Sequence, residues 1–271
     1  MRRSEQTRPT AKSTGERIQK ALARSDWGSR REIERLIRDR RIKVNNSLAV
    51  LGLSIRPGDS VQLDNGRIFE VGLDKQELQV LLYHKPAGVV CTRSDEEGRP
   101  TIFEKLPRVK HGRWLNVGRL DINTTGLLLF TNNGELAHRL THPKYKIDRE
   151  YAVRVFGNVN EKMLLTIRKG VEVDGEVYSF NDVVAGEGSG SNKWFYCVVQ
   201  TGRNREVRKI WESQDVTVSR LMRVRFGNIM LPTDLRPGRN LELGTPLVKE
   251  LCTLVGLEDS DESEVSQRSN R

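Results

Sequence analysis

The run Gly118-Arg119-Leu120-Asp121-Ile122-Asn123-Thr124-Thr125-Gly126 leads directly into Leu127-Leu128-Leu129-Phe130. Four apolar residues in a row after a glycine read as a buried strand. The residues before them are polar and small enough to fix a tight loop, because Asn123, Thr124 and Thr125 can hydrogen-bond their own backbone. A carboxylate, Asp121, thus stands at the lip of a buried strand, where chemistry can be done. The same residues suit a purely structural role, in which Asp121 caps the turn or pairs with Arg119.

Upstream of this run, Val80 to Tyr83 reads as a strand that Pro86 stops, and Gly88 permits the turn that follows. A charged loop (Arg93 to Pro100) and a basic segment (Arg108, Lys110, Arg113) lead on to Asp121. Downstream, Asn133-Gly134 opens a short helix from Glu135 to Leu140. Arg149 to Val155 alternates as a strand with Tyr151, Val153 and Val155 on one face. Asn160 caps a helix from Glu161 to Lys169 that Gly170 closes, and Asp174-Gly175 signals a hairpin. Gly186 to Asn192 reads as a flexible loop and Lys193 to Gln200 as a strand. Thr201 to Trp211 then places four cations, Arg203, Arg205, Arg208 and Lys209, at a loop-to-helix junction. Such a cluster suits RNA phosphates, a buried carboxylate or a merely solvated turn. The last basic strand, Val216 to Phe226, carries Arg220, Arg223 and Arg225, a second candidate RNA contact.

The N-terminal quarter has a different texture. Ile18, Ala21 and Leu22 share one helical face, and Ser29 is an N-cap candidate for a second helix running from Arg30 to about Arg40. Ile33, Leu36 and Ile37 form its apolar face, and Arg30, Arg31, Arg35 and Arg38 its basic one. Short strands follow, separated by Asn45-Asn46 and Arg56-Pro57-Gly58-Asp59.

The net charge of +10 over 271 residues points to a polyanionic partner. Residues 1–60 hold fifteen Lys/Arg against seven Asp/Glu, whereas residues 257–271 hold two against five. Aromatic residues are only 6% of the chain, too few for a broad base-stacking platform. Cys91, Cys197 and Cys252 lie far apart, without zinc spacing or a disulfide pattern, which fits a reduced cytoplasmic setting. His138 and His142 sit four apart but have no acidic or cysteine partner placed with them, so no metal site is expected. No phosphate-cradling or dinucleotide motif is present, and no cofactor is expected. Neither a signal peptide nor a membrane-spanning stretch is expected.

Gly118-Arg119-Leu120-Asp121 and the Thr-Thr-Gly-Leu-Leu-Leu after it resemble the active-site motif of pseudouridine synthases. From about Glu16 to Gly256 the chain is similar to the branch that modifies ribosomal RNA and carries an N-terminal S4 domain. Within that branch it most resembles enzymes of large-subunit (23S) RNA. The resemblance implies an α+β chain, with a small S4 (α-L) RNA-binding module followed by a mainly antiparallel, mixed-sheet catalytic domain in two packed halves. The expected divisions are a disordered basic N-terminus (1–14), the S4 domain (15–63), a linker (64–78), the catalytic domain (79–256) and a disordered acidic tail (257–271). It further implies that Asp121 is the essential carboxylate, that Tyr151 stacks on the target base, and that Arg208 forms an ion pair with Asp121. Lys85-Pro86-x-Gly88 matches a motif that supports the active-site loop. Glu206 stands where the wider family usually has Gln, which leaves its role open. RNA contacts are expected from Arg30, Arg31, Arg35 and Arg38 and, around the site, from Arg119, Arg203, Asn204 and Arg205. The expected partner is ribosomal RNA or a large-subunit assembly intermediate, met by a cytoplasmic monomer. Two rival readings are a non-catalytic S4-type assembly factor and an enzyme of a small-subunit uridine.

Overall fold

The computed structural model describes residues 15–72, 77–189 and 191–257. The ends expected to be disordered, 1–14 and all but the first residue of 257–271, lie outside them. The described chain divides into two compact units, one reaching residue 77 and including 110–113, the other holding the rest.

The first unit contains β1 (Glu16–Arg17), α1 (Ile18–Arg24), α2 (Arg30–Arg38), β2 (Ile42–Val44), β3 (Ser47–Leu48), β4 (Ser54–Ile55), β5 (Ser60–Leu63) and β6 (Ile68–Glu70). β3, β2, β5 and β6 form an antiparallel sheet in that order. α2 begins where a side chain can replace the missing helical partner. Ser29 Oγ accepts from Glu32 N at 3.2 Å, and the Glu32 carboxylate accepts from Ser29 N in return. Ile33 and Ile37 go into a core with Ile18, Ala21, Leu22, Trp27 and Val61, while Arg30, Arg31, Arg35 and Arg38 all stay exposed. The expected linker departs from expectation in part: Ile68–Glu70 completes the sheet by pairing with β5, because Asn65-Gly66 supplies the turn that folds it back.

The second unit contains β7 (Val80–Lys85), β8 (Leu115–Val117), β9 (Thr125–Thr131), α3 (Gly134–Thr141), β10 (Arg149–Phe156), α4 (Glu161–Lys169), β11 (Val171–Val173), β12 (Glu176–Tyr178), β13 (Asp182–Ser189), β14 (Asn192–Val199), α5 (Glu206–Glu212), β15 (Thr217–Phe226), β16 (Ile229–Met230), β17 (Asn240–Glu242) and α6 (Thr245–Leu254). One sheet runs in the order β13-β14-β10-β15-β9-β7-β17, with β8 on β9 and β16 on β15. Every pairing is antiparallel except β9 with β15. The expected flexible loop at 186–192 is largely a continuation of the β13–β14 ladder, which still pairs Ser189 with Asn192.

Both faces of β9 are covered, as an unbroken apolar run requires. Leu128 and Phe130 enter a core with Tyr83, Tyr151, Phe195 and Trp211, and Leu127 and Leu129 enter another with Leu136, Phe226 and Leu251. The sheet therefore holds the start of β9 rigidly, and the Asp121 loop enters it there.

Candidate active site

Gly118, at φ +73°, and a Thr124 N–H bond to the Asp121 carbonyl at 3.0 Å turn the chain just ahead of β9. The rest of the loop is tied from outside. Lys85, fully buried at the end of β7, donates from Nζ to the carbonyls of Thr124 (2.9 Å), Pro86 (3.0 Å) and Ile122 (3.2 Å). Gly88 N adds a second bond to the Ile122 carbonyl at 2.9 Å. Cys91 Sγ bridges Leu120, donating to its carbonyl at 3.2 Å and accepting from its N–H at 3.4 Å. Burial lowers the Lys85 pKa and raises that of the Cys91 thiol, so the loop is held by one desolvated ammonium and one neutral thiol. With its backbone so engaged, Asp121 carries a half-buried carboxylate that takes no hydrogen bond or ion pair among the described residues.

That carboxylate faces a cleft of about 750 Å³ whose lining includes Asp121, Arg119, Tyr151, Arg203, Asn204 and Arg205. Six of the residues singled out in the sequence thus share one cavity. Tyr151 is 8% exposed on β10, and its strand partner across the ladder, Arg223 of β15, also lines the cleft. Asp95, Glu97 and Arg99 contribute a charged wall, in which Arg99 pairs with Asp95 at 2.8 Å and with Glu97 at 2.8 Å.

Arg208 departs from its expected place. It lies on α5, outside the cleft lining, and its Nη1 donates to the Val218 carbonyl of β15 at 2.9 Å. No ion pair joins it to Asp121 among the described residues. The cause is its position on the helix, which turns the guanidinium toward β15. Burial, and then the charge of Arg205, lower its pKa, while the charge of Asp121 reaches it only as an opposing field. The four arginines of α2 belong to the first unit.

Glu206 is buried, at 5% exposure, and closes the 201–206 loop on itself. Its carboxylate accepts from Thr201 Oγ1 and from Arg203 N, the latter at 3.1 Å. Beneath that loop lies a residue that the sequence did not single out. Arg149, also 5% exposed, donates to the carbonyls of Gln200 (2.7 Å) and Ile147 (3.2 Å), and to those of Leu140 and Thr141 (both 3.4 Å). Gly202, at φ +68°, is required above it, since a Cβ there would stand 3.1 Å from the Arg149 guanidinium carbon. Arg149 and Glu206 together fix the segment that presents Arg203, Asn204 and Arg205 to the cleft. The available sequence signal was a charged residue opening a strand that was otherwise apolar at alternate positions.

The arrangement offers an ionisable carboxylate on a rigid loop, an aromatic ring beside it and a basic rim. A model of RNA pseudouridylate synthases matches residues 79–213, the stretch that holds all of these groups, and an S4 domain model matches residues 16–61. A protein of Pasteurella multocida called ribosomal large subunit pseudouridine synthase B is 48% identical over 255 residues, covering 92% of this chain and 74% of that one.

The chain belongs to the RNA pseudouridylate synthase family.

The pseudouridine synthase B of Haemophilus influenzae is 47% identical over 265 residues, covering 96% of this chain and 74% of its own. That of Pseudomonas aeruginosa is 51% identical over 244 residues, or 90% of this chain, which spans 63% of its length. A crystal structure described as pseudouridylate synthase superposes with a TM-score of 0.60 at 24% identity, covering 87% of this chain and 99% of that one, a likeness of fold. As a pseudouridine synthase the chain is an isomerase with an N-terminal S4 domain. None of the described helices is long and apolar enough to cross a membrane.

Proposed function

We propose that this pseudouridine synthase converts a uridine of large-subunit ribosomal RNA to pseudouridine, with Asp121 as the residue that acts on the ribose. The observation that carries the assignment is the contrast at Asp121, whose loop is tied by the carbonyls of Leu120, Asp121, Ile122 and Thr124 while its carboxylate is left without a partner among the described residues at the cleft. A structural aspartate would use its oxygens on its own turn. The RNA assignment follows the names of the relatives, the S4 domain and the exposed arginines of α2.

The reaction breaks the C1′–N1 bond of uridine, turns the uracil and joins C5 to C1′. It is redox-neutral and takes its atoms from the substrate alone. A uridine stacked within a helix is out of reach of Asp121, so it must be flipped into the cleft. Asp121 either adds to C1′ or removes a ribose proton. Tyr151 stacks on the uracil, and Arg119, Arg203, Asn204 and Arg205 hold the flanking phosphates by charge and hydrogen bonding. Arg208, bonded to the Val218 carbonyl, braces α5 against β15. The S4 domain, within the proposed bounds 15–63, supplies affinity through Arg30, Arg31, Arg35 and Arg38, while 79–256 carries the chemistry. The chain acts in the cytoplasm as a monomer.

The test is tritium release from unmodified large-subunit RNA labelled at uridine C5, with purified protein and no added cofactor. Mapping of pseudouridine in a strain lacking the gene then identifies the site. Stoichiometric release, and loss of one large-subunit pseudouridine, are expected. A protein that binds the RNA without release is an assembly factor, and loss of a small-subunit pseudouridine instead refutes the substrate.

A further inference from the structure

Two buried polar atoms at the cleft have no partner among the described residues: Arg223 Nη2 and Thr124 Oγ1. Each belongs to a residue only 2% exposed, and each residue lines the cleft with Asp121. Most buried polar groups are hydrogen-bonded, and leaving one unpaired costs ~1–3 kcal/mol, more when it is charged. Two orphans at one cavity mark a place built to take a ligand's acceptor.

The strand pairing fixes where that acceptor lies. Arg223 is directly opposite Tyr151 across the β10–β15 ladder, so the two side chains share the face of the sheet that the cleft occupies. On its other side Arg223 pairs with Gly126 of β9, five residues after Asp121. Arg223 Nε is tied to the Leu127 carbonyl at 2.8 Å, which aims the guanidinium and leaves Nη2 free. No carboxylate lies within ion-pair distance of it among the described residues. A desolvated, oriented and unneutralised cation therefore stands between the aromatic ring proposed to stack on the base and the strand that the Asp121 loop enters.

We propose that Arg223 is a further catalytic residue, whose Nη2 binds a carbonyl oxygen of the uracil and stabilises the negative charge it gains when the glycosidic bond breaks. The assignment rests on the pseudouridine-forming reading above. In the step, the C1′–N1 electron pair departs with the base, and the charge spreads over its ring and carbonyl oxygens. C1′ is balanced by Asp121, through addition or by loss of a ribose proton. When C5 bonds to C1′, the Asp121–C1′ bond breaks or the abstracted proton returns to the ribose, the C5 proton is lost, N1 takes a proton and the base is neutral again. A preorganised donor aimed at charge that exists only after bond breaking accelerates the step without tightening the ground state. Thr124 Oγ1 offers a second, neutral hydrogen bond at the same cavity.

The experiment compares single-turnover scission of the C1′–N1 bond in RNA carrying uridine or 5-fluorouridine at the target, for wild type, Arg223→Met, Arg223→Lys and Thr124→Val. Affinity and its salt dependence are measured alongside. Fluorine withdraws electrons and makes the base a better leaving group, so it needs less help. On uridine, Arg223→Met is expected to be slowed by roughly 10²-fold or more at unchanged RNA affinity. On 5-fluorouridine its deficit is clearly smaller. Arg223→Lys, which keeps the buried charge and folds if Met does not, shows the same substrate-dependent pattern with a smaller loss. Thr124→Val shows a slight one. Equal deficits on both substrates overturn the proposal. So does weakened binding with a salt slope reduced by about 1 and an unchanged rate, which makes Arg223 a phosphate contact. A wild type inactive on both RNAs overturns the proposed function itself, and this assignment with it.

Discussion

At the scale of single residues, the site works by division of labour between backbone and side chain. Lys85, Gly88 and Cys91 hold the carbonyls around Asp121, which leaves its carboxylate unencumbered. Lys85→Met removes all three Nζ bonds. Turnover is expected to fall at least ~10-fold at unchanged RNA affinity, because a loop misplaced by an ångström loses its aim. Stability should change by less than the loss of three bonds suggests, since the variant also escapes the burial of a charge. That burial has a pH signature. The folded pKa of Lys85 lies below its ordinary 10.5, so the unfolded chain binds more protons between the two values. Wild-type stability should therefore gain on that of the Met variant as pH rises through this window, and parallel melts of the two proteins from neutral pH to 10.5 check it. A melting-temperature gap that stays constant contradicts the buried ammonium.

At the scale of elements, the junction of β9 and β15 is the part least tolerant of change. Gly126, at φ +102°, lets the two backbones meet where a Cβ would stand 2.2 Å from the Arg223 carbonyl oxygen. Gly126→Ala must push the strands apart and is expected to cost ~3 kcal/mol or more, read as a drop in melting temperature or an insoluble protein. Ser29→Ala breaks the reciprocal cap of α2 and should cost about 1 kcal/mol in the first unit alone. Both elements were legible in the sequence. The four-residue apolar run named β9, and Ser29, as an N-cap candidate, named the start of α2. What could not be read was the pairing of distant strands. Arg223 looked like an RNA contact, because alternation places it on a face but does not say whether that face meets solvent or a cleft. Arg149 looked like the mere start of a strand, and its four carbonyl partners become visible only once β10 lies beside the ends of α3 and β14. Arg208 sits in the expected motif, yet the helix turns its guanidinium to Val218, a direction that spacing within the motif does not encode.

At the scale of the whole molecule, the net charge of +10 is divided between units that do different work. Of the exposed arginines of α2, Arg38 reaches Glu34 at 4.0 Å, while Arg30, Arg31 and Arg35 have no ion pair among the described residues, which suits a polyanion held by its backbone. Replacing Arg30, Arg31, Arg35 and Arg38 together by Gln is expected to flatten the salt dependence of RNA binding by a slope of up to about 3. Turnover at saturating RNA should be largely kept. An unchanged slope removes α2 from the RNA surface. The cleft, in contrast, has Arg149, Glu206 and Arg223 buried and held by hydrogen bonds, with Arg119, Arg203 and Arg205 exposed at its rim. The account turns on Asp121, and the most direct test of it is single-turnover pseudouridine formation on unmodified large-subunit RNA by wild type and Asp121→Asn. Melting temperature and RNA affinity are measured on the same samples. The substitution keeps shape and removes charge, so the account predicts an unchanged fold and affinity with the rate reduced at least ~10²-fold. A folded Asp121→Asn protein that forms pseudouridine at a rate near that of wild type contradicts it.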